Sequence, residues 1–435
     1  MTAYVLERAW IDGRVAHSVH VGIENGRFVS VEENSTKSGN PLSGLTLPGM
    51  ANTHSHAFHR ALRGRTQTER GTFWSWREQM YALADKLDPE SYYELAKATF
   101  SEMVATGYTS VGEFHYLHHQ PDGKTYDDPN AIGKAVLSAA RDAGIRITLL
   151  DTLYLSSGFG AAPAGVQVRF ADQTEKDWRN RVDGLMAMAD SNSLVGFAAH
   201  SVRAIPKDAF VVFGEFVQAG VPLHIHLSEQ VKENEGCQAN YGMSPTALLA
   251  EVGFLGPMTS VVHATHLSDE DIRILGDQQV FAAICPTTER DLGDGIGPTR
   301  ALHIAGVKIT LGSDSHAVID GFEEMRAVEL NERLATQERG HWSAGELIAA
   351  ATQNGQQSLG FFNAGEIKVG NRADLVTIDL NSPRTAGTGS DEQTAVFGAG
   401  SADVKHVVVD GREVFRGGHA AVGAALAQII DRMHQ

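Results

Sequence analysis

Eight short apolar runs along the middle of the chain, set apart by helix-like segments, constrain this sequence more than any other feature. They span 45–56, 108–116, 145–154, 194–203, 221–229, 260–267, 280–286 and 307–314. Helical periodicity fills some of the gaps, at 90–106, 130–143 and 323–333. Strands alternating with helices predict βα units around a parallel sheet. Eight such units predict an α/β fold, a (β/α)8 TIM-like barrel, with its chemistry at the strand ends.

The two ends of the chain read differently. The first 45 or so residues alternate apolar runs with the turn signals Asp12-Gly13 and Asn25-Gly26, which predicts small antiparallel strands. The same texture returns at Ala373-Asp374-Leu375-Val376-Thr377-Ile378 and at Val404–Gly411. A small flanking β-sandwich domain built from 1–47 and 366–420 is therefore expected beside a catalytic barrel at 48–365. Residues 421–435 are expected to close the chain as a helix.

Composition narrows the function classes. The formal net charge of −17 argues against a general binder of nucleic acid or anionic membrane, both of which need basic surface. Two cysteines, Cys237 and Cys285, are too few for a disulfide framework and fit a reducing cytoplasm. The segment Met1–Arg8 lacks a basic head followed by an apolar block, so no signal peptide is expected. No apolar run approaches the ~20 residues of a membrane span.

The ends of the runs are rich in ionisable groups. The first ends in His54 and His56; residues at i and i+2 of a strand share a face, so two imidazoles there can grip one ion. The fourth ends in His200 and Arg203, the fifth holds His224, His226 and Glu229, the sixth His263 and His266, and the eighth ends in Gly312-Ser313-Asp314. Three imidazoles and one carboxylate suit a borderline divalent ion such as zinc. The expected ligands are His54, His56, His226 and Asp314. Such an ion lowers the pKa of a bound water to about 7. Glu229 lies three residues past His226, beside the ion and suited to proton transfer. His263 is preferred to His266 for polarising the substrate, and His224 for packing.

This set, His-x-His, His-x-x-Glu, a later His, then Ser-Asp, resembles the amidohydrolase superfamily and its mononuclear deaminase branch. The binuclear branch carries a carboxylated lysine at the end of strand four, where this chain has Phe197-Ala198-Ala199-His200. Four strings narrow the resemblance: His54-Ser55-His56-Ala57-Phe58, Phe73-Trp74-Ser75-Trp76-Arg77-Glu78, Gly107 to His119 with Phe114-His115-Tyr116-Leu117-His118-His119, and Cys285-Pro286-Thr287-Thr288-Glu289. They look like the bacterial N-formimidoyl-L-glutamate deiminases, over the barrel and into the flanking strands.

The resemblance implies hydrolytic deimination of N-formimidoyl-L-glutamate to N-formyl-L-glutamate and ammonia in histidine degradation. Metal-bound hydroxide would attack the amidine carbon. Glu229 would shuttle the proton, Asp314 would help deprotonate the water, and His263 would stabilise the tetrahedral intermediate. Arg77 and Arg203 match positions that bind the glutamate portion, with Tyr116 and His200 beside them. Guanidinium forks suit carboxylates because they bind both oxygens. His59 stands where the family often has glutamine, with a different reach toward substrate. A homodimer is the expected assembly.

Other readings stay open at this point. A deaminase of another amidine, a guanidine or an aminated heterocycle would use the same site, and a catalytically silent scaffold would keep only the fold. His115, His118 and His119 fit packing or pocket lining better than a second metal site. Trp74 and Trp76, approached through Gly71-Thr72, fit either a core position or a loop over the substrate. Cys285 reads as a packed thiol.

Overall fold

Asp12-Gly13 and Asn25-Gly26 turn two hairpins at the start of the chain. Strand β1 (Thr2–Ile11) pairs with β2 (Arg14–Glu24), and β2 with β3 (Arg27–Glu32), both antiparallel. Both turn residues of each hairpin have positive φ, 48° and 75° in the first and 49° and 76° in the second. That backbone matches the twist of the flanking strands and favours Asp or Asn followed by Gly. The computed structural model describes residues 2–67 and 73–434, and of Phe73 and Trp74 only the backbone. Gly71-Thr72 and the Trp74 side chain, considered above as a cover for the substrate, lie outside the described residues.

Strand β4 (Asn40–Pro48) runs parallel to β1. The barrel strands follow: β5 (Met50–Ser55), β6 (Tyr108–His115), β7 (Arg146–Leu153), β8 (Ser193–Ala199), β9 (Leu223–Leu227), β10 (Thr259–His263), β11 (Phe281–Ile284) and β12 (Lys308–Leu311). They form an eight-stranded parallel sheet in sequence order. A bridge between Ser55 and Asp314 joins the first strand to the segment after the last, bringing the sheet round into a barrel. Every residue of β5, β6, β7, β9, β10 and β11 is buried, as expected of parallel strands covered on both faces.

Strands β13 (Leu375–Ile378), β14 (Val404–Val409) and β15 (Arg412–Arg416) return to the first sheet, whose order is β15-β14-β13-β4-β1-β2-β3. The flanking strands from both termini thus make one seven-stranded mixed sheet. A helix at His419–Met433 ends the chain.

One expected strand divides. The run 45–56 is split at Gly49: Leu45 to Pro48 pair with β13 in the small sheet, and Met50 begins the barrel. A Cβ at Gly49 would lie 2.3 Å from Thr109 Oγ1 and 2.8 Å from Asp374 Cβ, so only glycine passes between the sheets here. Nearby, Arg146 at the start of β7 is bonded to Asp374 at 2.7 Å and to Asp410 at 2.9 Å, with its own side chain fully buried. The small sheet is thereby fastened to the end of the barrel where strands begin. The other end is left to the site. The fourth run also stops early, at Ala199, so His200 and Arg203 sit on the loop beyond it.

Candidate metal centre and substrate cavity

His54 is the penultimate residue of β5 and His56 follows its end. Their Nε2 atoms lie 3.4 and 3.3 Å from the same oxygen, Asp314 Oδ1. His226, on β9, brings its Nε2 to 3.1 Å from that of His54. The four residues are buried, and their donor atoms all lie within 4.8 Å of one another. The expected ligand set is therefore gathered in space.

Two backbone carbonyls orient the imidazoles. His56 Nδ1–H donates to Phe114 O at 3.0 Å, and His226 Nδ1–H donates to His200 O at 2.9 Å. A carbonyl can only accept, so in both rings the lone pair is left on Nε2, facing the centre. Burial lowers the pKa of His54 to about 4, against the pull of Asp314, and holds that of His226 well below the usual value. Burial alone would raise Asp314, but the His54 and His56 rings set against its carboxylate hold it far below the ordinary carboxylate range. Neutral imidazoles around an ionised carboxylate are what a divalent ion requires. The donor set thus fits one ion.

Local backbone places these groups. Asp314, His263 and Ser228 have φ of 41°, 69° and 50°, left-handed conformations at the ends of strands. Asp314 and Ser313 donate their N–H groups to His54 O at 2.9 and 3.2 Å. A Cβ at Gly312 would come within 2.8 Å of His54 Cβ and 2.9 Å of Cys285 Sγ, so glycine is needed for this approach. Beneath the histidines, Glu113 accepts from Ser55 Oγ at 2.5 Å and from Ala57 N at 2.7 Å. Asn52 and Ser313 are joined by two bonds, of 2.6 and 3.0 Å.

A cavity opens beside the four donors. It is lined by His56, His226 and Asp314, by Glu229 and His263, and by Arg77, Tyr116, His200, Arg203 and His59. His54 lies just beneath it. Glu229 Oε1 is 3.9 Å from His263 Nε2, which is 3.8 Å from Asp314 Oδ2. Burial raises the pKa of Glu229, against the pull of His263 and Arg203. His263 Nδ1 faces Glu289 Oε1 at 3.4 Å. His266 instead donates to Asp294 O at 2.8 Å and is not among the lining residues. His59 Nε2 bonds to Tyr116 OH at 3.0 Å.

Several lining groups escaped the sequence reading. Tyr81 accepts from Arg77 Nε at 2.7 Å; it lies four residues on along the same helix, a spacing that could have been read. Tyr154 closes the expected third run, and its hydroxyl is bonded to Gln167 at 2.8 Å. Phe170, which follows a short helix of one turn and a half, gave no signal.

His115, His118 and Asp151 form a second buried group with donor atoms within 4.8 Å of each other. Both oxygens of Asp151 are already engaged, by Trp178 Nε1 at 3.1 Å and Arg181 Nη1 at 2.7 Å. A cation there would sit against the guanidinium, so packing remains the better account. Cys285 is buried, and burial drives its thiol pKa well up.

Comparison with known proteins gives one direction. The amidohydrolase family model matches residues 45–414. The chain is 35% identical to formimidoylglutamate deiminase from Pseudomonas aeruginosa, over 97% of this chain and 96% of that one. Among solved structures, an amidohydrolase from Brucella melitensis superposes with a TM-score of 0.91 at 30% identity, covering both chains completely. An adenosine deaminase from Xanthomonas campestris with bound zinc superposes at 0.85 with 21% identity, over 100% of this chain and 98% of that one. Likeness that runs unbroken through barrel and flanking sheet alike leads to a single conclusion: this chain belongs to the amidohydrolase family of hydrolases.

Proposed function

We propose that the protein hydrolyses the C–N bond of N-formimidoyl-L-glutamate, giving N-formyl-L-glutamate and ammonia. The observation that carries this reading is the pair Arg77 and Arg203 on the same cavity as the metal donors. A dicarboxylate needs such cations, whereas a nucleobase does not. The 35% identity to the Pseudomonas aeruginosa deiminase points the same way.

His54, His56, His226 and Asp314 would hold one divalent ion, with zinc favoured by three imidazoles and a carboxylate. When bound, such an ion supplies a water of pKa about 7 as nucleophile at neutral pH. Glu229 takes the proton from the attacking water and delivers it to the departing nitrogen; a raised pKa suits a group that must both accept and donate. His263, held between Glu229, Asp314 and Glu289, faces the same centre and stabilises the charge that develops at the amidine. Asp314 helps deprotonate the water. Arg77 and Arg203, with Tyr116, His200 and His59, hold the glutamate end.

Incubation of the metal-quantified protein with N-formimidoyl-L-glutamate tests the proposal. Formylglutamate with ammonia is the expected result. Formamide with glutamate would show cleavage of the other bond, and no turnover would move the assignment to another amidine.

A further inference from the structure

Glu233 lies on the helix Val231–Tyr241, is buried, and does not line the cavity. Its two oxygens do different things. Oε2 accepts from Arg203 Nε at 2.7 Å, and Oε1 accepts from the backbone N–H of Ser228 at 2.8 Å. Arg203 lines the cavity, and with Nε committed to Glu233 its terminal amino groups carry no hydrogen bond to the described residues and can meet a ligand. Ser228 is the left-handed residue, φ 50°, that immediately precedes Glu229. One buried carboxylate therefore ties a ligand-facing cation to the turn that presents the proposed proton carrier.

The physical reason is conformational. The Arg203 side chain is 33% exposed, whereas that of Glu233 is 1% exposed. A long arginine stem left to itself spreads over many rotamers, and ordering it on binding opposes affinity. A bond from Nε to a rigid, buried partner removes that freedom beforehand. Glu233 tolerates its burial because both oxygens are bonded.

We propose that Glu233 is a positioning residue for substrate recognition, acting through Arg203 to fix a carboxylate of the substrate relative to Glu229. The proposal rests on the reading that the substrate is a dicarboxylate amidine. It differs from a role confined to the first turn of its helix, which would be independent of Arg203.

The test is a double-mutant cycle on the full-length, metal-loaded protein. Glu233→Gln keeps the shape and can keep the bond to Ser228, but its NH2 faces the Arg203 Nε–H as donor to donor. Binding of N-formyl-L-glutamate is measured by calorimetry, and turnover of N-formimidoyl-L-glutamate by kinetics. Glu233→Gln is expected to weaken binding and raise KM about tenfold or more, with kcat changed less than about threefold. In an Arg203→Gln background the same change is expected to add nothing. Wild-type affinity in Glu233→Gln, or losses that multiply in the double variant, would overturn the proposal. Should Glu233→Gln not fold, Glu233→Asp replaces it in the same cycle with the same two outcomes. Glu233-dependent binding of formylglutamate without turnover of formimidoylglutamate would sink the substrate reading and leave the role of Glu233 standing. A wild-type protein that binds no dicarboxylate would overturn both.

Discussion

The Nε2 atoms of His54 and His226 lie 3.1 Å apart, although 172 residues separate them in the chain. His226 has committed its Nδ1–H to His200 O, so its lone pair points at the other ring. Such a pair is comfortable only with a cation between the nitrogens or a shared proton. His226→Ala is therefore expected to reduce metal content from about one ion per chain to a small fraction, read by elemental analysis. Chelation of the wild type is expected to lower its thermal midpoint. Metal at about a thousand times its dissociation constant would contribute about 4 kcal/mol. Full metal occupancy in His226→Ala would remove this residue from the ligand set.

Glu229 reaches the cavity without joining the four donors. Glu229→Gln is expected to keep its metal and its fold while kcat falls by about 10²–10⁴. Metal content and turnover measured on the same sample check this, and normal activity would sink the proton-transfer role.

Arg77 is braced by Tyr81 at 2.7 Å, with the guanidinium carbon 5.0 Å from the centre of the tyrosine ring. Arg77→Met is expected to raise KM for the dicarboxylate by about 10–100-fold, the loss of one charged hydrogen-bonded contact. Steady-state kinetics against a formimidoyl substrate lacking one carboxylate would show a smaller penalty for whichever carboxylate Arg77 binds.

Far from the cavity, Arg146 and Asp374 join the two sheets with both side chains fully buried. Asp374→Asn leaves a buried guanidinium short of charge and is expected to cost about 3–5 kcal/mol of stability. Denaturant unfolding measures the loss, and the folded fraction should keep wild-type KM. A stability change below about 1 kcal/mol would mean that Asp410 alone satisfies Arg146.

The chain order of the chemistry was legible because barrel strands end where their ionisable residues begin. Histidines at i and i+2, a glutamate three residues past a third histidine, and Ser313-Asp314 after the last run pointed to side chains that the fold does gather. The split at Gly49 was not legible. Two strands of different sheets, β4 and β5, are contiguous in sequence and both apolar, so periodicity sees one run. Only the closeness of Thr109 and Asp374 to Gly49 shows why the chain must change sheets there.

The sequence alone determined the eight βα units and which ionisable side chains, His54, His56, His226, Glu229 and Asp314, gather at the strand ends, because local pattern and spacing set which side chains leave which strand end. Tertiary structure decided which nitrogen of His56 and of His226 faces inward, since that depends on Phe114 O and His200 O, carbonyls distant from them in sequence. It also decided that Glu233 holds Arg203 across 30 residues of chain. Hydrogen-bond partners distant in sequence carry no periodic signal; they exist only once the barrel has closed around them.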